Sequence, residues 1–305
     1  MTLLDDVRAL AMQVSARFTV RYGEPLRFAG SDLPAPQRLR VPTRHRPVRV
    51  DLYRPPGVEA PPVVAHFHGG AFVMRYPEMD DWWCRYLAAT AGVAVANVDW
   101  SVGPQARYPV GQEEGHDVVA HLAAAGHEHG LDGTRVVVSG FSAGGHVAAA
   151  VCLMARDAGS CAPVLQVLGV PALDLASEVE DRPGMVDPAL RRLVRRVYFP
   201  DVARREEPYA SPLLAPDLAG LPPTVVLTGE RDALRPVRRP AARRRRRRAP
   251  RRDAGRRPLL PHRRPGARPA DHADGRGAHP GGLHGRRARG LTGDGGQKPV
   301  GRRGV

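Results

Sequence analysis

Apolar residues in this chain fall into short, nearly continuous runs separated by longer stretches with helical spacing. The runs are PVRVDLY (47–53), PVVAHFH (62–68), GVAVANVDW (92–100), RVVVSG (135–140), PVLQVLGV (163–170) and TVVLTGE (224–230). Their β-branched content and lack of polar alternation predict strands buried on both faces. Between them, helical patterns lie near 80–90, 111–129 and 143–157. This alternation predicts an α/β fold: a mostly parallel central sheet with helices on both faces. Two segments stand outside it. Residues 1–35 begin with Leu3, Val7, Leu10 and Val14 at helical spacing, and 183–208 carries a helix of its own. Both read as elements of a small helical cap.

After Arg235 the pattern stops. Residues 236–305 contain no Phe, Tyr, Trp, Ile, Met, Cys or Glu and are dominated by Arg, Pro, Gly and Ala, with six consecutive arginines at 243–248. Such a segment cannot bury enough apolar surface to offset roughly 1–2 kcal/mol of backbone entropy per ordered residue, so disorder is predicted there. The chain therefore divides into a folded part, 1–235, and a tail, 236–305.

Charge follows the same division. The net +15 of the whole chain suggests a polyanionic partner. Residues 1–235, however, hold 24 basic and 27 acidic side chains, whereas 236–305 hold 22 and 4. The excess lies entirely in the tail, which offers no aromatic ring for base stacking, so no specific nucleic-acid partner is expected. Three cysteines, Cys84, Cys152 and Cys161, lack CxxC spacing and indicate neither a disulfide framework nor a zinc site. The N-terminus, with Asp5 and Asp6, is not a signal peptide, and no apolar run approaches a membrane span. These features predict a soluble cytoplasmic protein without a metal site.

Chemistry concentrates in two motifs. VSGFSAGGHVAAAV (138–151) places Gly140-Phe141-Ser142-Ala143-Gly144 between a predicted strand and a predicted helix. In that setting GxSxG is a nucleophile elbow, which exposes the serine hydroxyl above the helix N-terminus. HFHGGAF (66–72) follows an earlier strand, and its small residues allow main-chain N–H groups to face a developing oxyanion. Gly69, Gly70 and Ala143 are the expected donors, and His68 is expected to brace the loop. His146, one turn past the serine, reads as a packing residue.

HGGAF, VDWSVGPQARYP (98–109), GFSAGG, SPLLAPDLAGLPP (211–223) and ERDALR (230–235), in that order, resemble the hormone-sensitive-lipase family of α/β-hydrolases over about residues 40–235. The resemblance implies a cofactor-free carboxylesterase with a Ser-His-Asp triad, acting on small acyl esters. It assigns the nucleophile to Ser142 and the acid to Asp232. Two positions depart from the family pattern. Phe141 stands where an aspartate is usual, and Gln105 replaces an acid in the segment Asp99–Gln105.

The third triad member is harder to place. Serine needs an imidazole to take its proton, and the family carries it about thirty residues past the aspartate, after an eighth strand. His262 has that spacing but no strand before it; His284 has a following glycine but lies farther along. Ala, Arg, Gly and Pro are encoded largely by G and C, so a GC-rich gene read out of frame yields a tail of this kind. The sequence leaves three readings. The frame is lost after Arg235, the tail is a real basic segment, or the fold persists as an inactive small-ligand-binding homologue.

Overall fold

The structure, a computed structural model, describes residues 2–20, 26–179, 186–230, 232 and 234. Seven strands form one sheet: β1 (Gln37–Val41), β2 (Val48–Tyr53), β3 (Pro62–Phe67), β4 (Ala94–Val98), β5 (Asp132–Phe141), β6 (Leu165–Gly169) and β7 (Thr224–Leu227). Their spatial order is β1-β2-β4-β3-β5-β6-β7. The first two ladders are antiparallel and the rest parallel, so the sheet is mixed but mostly parallel. Six strands coincide with the predicted runs. The strand missed is β1, where Leu39 and Val41 are buried between exposed Arg38 and Arg40. An edge strand with two apolar positions leaves too short a signal to read.

The pleat sorts side chains onto two faces. Val63, Ala65 and Phe67 of β3, with Ala94, Ala96 and Val98 of β4, turn toward α3 (Val110–Ala125) and α4 (Ala143–Ala158). Val64 and Val95, one residue out of phase, pack with Cys84 and Ala88 of α2 (Asp81–Thr90). The core thus lies on both faces of the central strands, as near-continuous apolar runs require.

Two helices stand apart from the sheet. α1 (Leu3–Thr19) is opened by a Thr2/Asp5 capping box, and α5 (Pro188–Val197) by Asp187, which accepts from the Ala189 N–H at 2.5 Å. They pack together through Ala9, Leu193 and Val197, with Val73 beneath. Arg196 grips Asp5 at 3.0 and 3.1 Å and holds its carboxyl down at about 2. These helices fall in the segments predicted as cap, of which 1, 21–25 and 183–185 lie outside the described residues. The predicted disorder of 236–305 also lies outside them. No described helix is long and apolar enough to cross a membrane.

Candidate active site

Between the last residue of β5, Phe141, and the first of α4, Ala143, the chain has room for a single residue, Ser142, at φ 53° and ψ −113°. A β-substituted residue at positive φ is strained, and it persists because its surroundings hold it. The Ser142 N–H donates to Gly169 O at 2.8 Å, and its carbonyl accepts from His146 N at 3.1 Å and Ala172 N at 3.3 Å. The glycines explain how α4 comes so close. A Cβ on Gly144 would lie 1.9 Å from Phe67 O, so only glycine lets the helix start against the end of β3. Ala143 opens the helix, and its N–H has no intrahelical acceptor.

The second motif turns just beyond β3. Gly70, Ala71 and Phe72 all have positive φ, at 115°, 53° and 58°. Val73 and Met74 close the turn by donating to Gly70 O at 3.1 and 2.8 Å. His68 is fully buried, with Nδ1 2.7 Å from Gly69 O, and its ring lies 5.4 Å from that of Trp100. Burial pushes its pKa down, so at neutral pH it is an uncharged strut and meets the bracing role expected of it.

One carboxylate that sequence reasoning missed controls this turn. Asp80, at the end of a 3-10 turn (Pro77–Asp80), is buried beneath it. Its Oδ2 accepts from the Gly69 N–H at 3.2 Å and faces His66 Nε2 at 3.1 Å, while His66 Nδ1 lies 3.2 Å from Ser139 Oγ. Of the three expected oxyanion donors, Gly69 is therefore engaged by Asp80 in this conformation. Gly70 and Ala143 remain. A hint was present in the sequence: His66 is a polar residue inside an apolar strand, and such a group needs a buried partner.

Asp232 follows β7, two strands across the sheet from the serine. Its Oδ1 accepts from Leu234 N at 2.8 Å, whereas its buried Oδ2 has no hydrogen-bond partner among the described residues. His262 and His284 lie outside the described residues. His146 is buried between Phe72 and Phe199 with Nδ1 2.9 Å from Ala172 O, the packing role expected of it, and burial lowers its pKa to about 4.

A second serine-histidine contact lies away from the elbow. His116 Nε2 is 2.8 Å from Ser160 Oγ, and its Nδ1 faces both Arg44 Nη2 at 3.3 Å and Asp117 Oδ1 at 3.4 Å. Among the described residues, no group of three His, Cys, Asp or Glu side chains is arranged to hold a metal.

The two departures have visible consequences. Phe141 stacks against Trp82 with centroids 6.0 Å apart, and its edge meets His66 at 5.4 Å. Gln105 exchanges two 2.8 Å amide hydrogen bonds with Gln13 of α1, which also donates to Gly103 O at 2.9 Å. An amide pair braces the loop where an acid was expected. Asp99, the first residue of that segment, is clamped by Arg75 through two 2.8 Å bonds.

A serine at positive φ between a parallel strand and a helix, beside a glycine turn, is the geometry of the nucleophile elbow. A family model for the alpha/beta hydrolase fold matches residues 64–262. This chain belongs to the α/β-hydrolases. Within them it is similar to the hormone-sensitive-lipase group, as its relatives show. Esterase LipI of Mycobacterium tuberculosis is 34% identical over 200 residues, 62% of each chain. The carboxylic ester hydrolase LipN of the same organism is 30% identical over 245 residues, 76% of this chain and 63% of its own. The chain thus spans about three-fifths of the length of these curated relatives. Among solved structures, a hyperthermophilic esterase from Pyrobaculum calidifontis superposes with a TM-score of 0.67 at 32% identity, covering 76% of both chains. A bacterial heroin esterase gives 0.67 at 28% identity, covering 77% of this α/β-hydrolase and 78% of itself.

Proposed function

We propose that this α/β-hydrolase is a serine carboxylesterase for small acyl esters, with Ser142 as nucleophile and Asp232 as the acid that orients a histidine. The observation that carries this reading is the combination of a strained, half-buried Ser142 with a buried Asp232 oxygen that lacks a partner among the described residues. An unpaired buried carboxylate oxygen is costly, and the N–H of an imidazole is the donor this fold brings to it. The imidazole takes the Ser142 proton as Oγ attacks the ester carbonyl. The electron pair moves onto the carbonyl oxygen, which Gly70 and Ala143 stabilise; Gly69 joins them by releasing Asp80. Collapse expels the alcohol, which receives the proton, and water then hydrolyses the acyl-enzyme by the same steps.

His262 has the family spacing and lies at the end of the matched region, and it is the base of this chain if residues 236–305 are a genuine segment. We further infer that 236–305 is read in a shifted frame, because its composition changes where a strand, a histidine and a helix are due. The cytoplasm is the compartment that suits three free cysteines, two of them buried.

Burst kinetics on p-nitrophenyl acetate and butyrate test the nucleophile: Ser142→Ala abolishes the burst, and equal rates in parent and variant overturn the assignment. A frame-corrected chain is expected to be at least about 10³-fold faster than this one, the scale of losing one triad member while the oxyanion hole remains. If the two are equal, the tail is genuine and His262→Ala becomes the deciding variant.

A further inference from the structure

The apolar residues of α1 face away from the protein. Leu3 is 81% exposed, Val7 51%, Leu10 41%, Val14 65% and Phe18 64%. Spacings of four, three, four and four residues set them on one stripe of the helix. The opposite face holds Asp5, Ala9 and Ala16, which are buried. An ordinary surface helix has the reverse arrangement. Here the helix is seated by two alanines, the partly buried Met12, the Gln13 hydrogen bonds and an ion pair, while five large apolar side chains stand in solvent.

The charges of α1 divide in the same way. Asp5 is held by Arg196, and Asp6 lies 3.8 Å from Arg107, so both acids are turned to arginines of the body. At 100° per residue, exposed Arg8 and Arg17 flank the apolar stripe on its two sides, and the Arg17 guanidinium sits 6.0 Å from the centre of the Phe18 ring. An apolar stripe bordered by arginines is the pattern of a helix that lies in a membrane interface. Pairing with a second copy fits less well. A 17-residue helix is about 25 Å long, and a stripe about 10 Å wide buries about 500 Å² across two copies, well below the roughly 1,200 Å² of a stable interface.

We propose that the outward face of α1 docks this protein on an anionic lipid surface, with Leu3, Val7, Leu10, Val14 and Phe18 entering the interface and Arg8 and Arg17 meeting headgroup phosphates. This goes beyond ester hydrolysis and does not rest on it, because binding is read without turnover. The site is nevertheless within reach. Gln13 of the same helix bonds to Gly103 and Gln105, in the loop that carries Trp100 against His68.

Vesicle flotation of the full chain tests the proposal, using phosphatidylcholine alone and phosphatidylcholine with about one-third phosphatidylglycerol. Arginines 243–248 bind anionic vesicles by charge alone, so the comparison is made at about 0.5 M salt, where such attraction is screened. The variant Leu10→Gln/Val14→Gln/Phe18→Gln changes no charge and leaves the buried face intact. Its thermal midpoint should match the parent's, while its partitioning to anionic vesicles at high salt falls at least about tenfold. Equal high-salt partitioning of the parent and the triple variant overturns the proposal. A parent dimer in light scattering that the triple variant converts to monomer also overturns it, by assigning the stripe to a second copy.

Discussion

Ser142 and Asp232 lie at the same edge of one sheet, yet their supports differ greatly. Ser142 sits at the end of a strand paired on both sides, with its N–H, its carbonyl and the adjoining glycines all in contact with neighbouring backbone. Asp232 follows β7, which pairs with β6 alone among the described residues and whose four residues are all exposed. The geometry of Ser142 is produced by interactions within reach of its own strand. The geometry of Asp232 rests on a short edge strand whose apolar Val225, Val226 and Leu227 have surface still to bury. One half of the site is self-contained and the other depends on what covers β7.

The sharpest way to break this contrast is at Gly144. Gly144→Ala puts a methyl group where Phe67 O stands, which forces α4 off β3; a loss of more than about 4 kcal/mol in denaturant unfolding is expected. A near-normal midpoint would mean that the elbow tolerates movement.

A smaller effect should follow from pH. His146 is neutral when folded, with a pKa of about 4 against about 6.5 unfolded. The unfolded chain binds this proton first as pH falls, so the stability from His146 is complete above pH 6.5. It declines through the window from 6.5 to 4, by about 3 kcal/mol. His146→Gln should flatten that part of the profile. An unchanged slope would place the acid sensitivity elsewhere.

Next comes the glycine turn after β3. Asp80→Ala leaves the Gly69 N–H and His66 without their shared acceptor and should cost about 2 kcal/mol. If Asp80 positions the turn, kcat on p-nitrophenyl butyrate falls about tenfold with KM little changed. Lower stability with unchanged kcat would make it structural only.

The smallest expected effect is on β7 itself. Val226→Thr alters an exposed side chain and should shift stability by less than about 0.5 kcal/mol, while reducing concentration-dependent association seen in light scattering. A large destabilisation would show that this strand is covered after all.

What the sequence disclosed follows the same line. The buried strands, the elbow and the glycine turn were legible because each is a local pattern: an apolar run, a pentapeptide, a tight turn at a strand end. β1 was missed because arginines interleave with its two buried positions. Asp80 and the Gln13–Gln105 pair were missed because their meaning lies in partners 11 and 92 residues away, and no spacing rule spans such separations. The helix at residues 3–19 was read correctly as a helix, but periodicity alone could not say which face would meet the protein. Two alanines, Met12 and a salt bridge decided that.

The aromatic packing around the two motifs also makes the site its own optical reporter. The chain has three tryptophans. Trp82 and Trp83 lie against Phe141, the residue before Ser142, and Trp100 lies against His68, the residue before the glycine turn. Intrinsic indole emission therefore comes entirely from the walls of these two loops. A shift in its wavelength on adding an ester analogue would report motion at the elbow or the turn, without any introduced label.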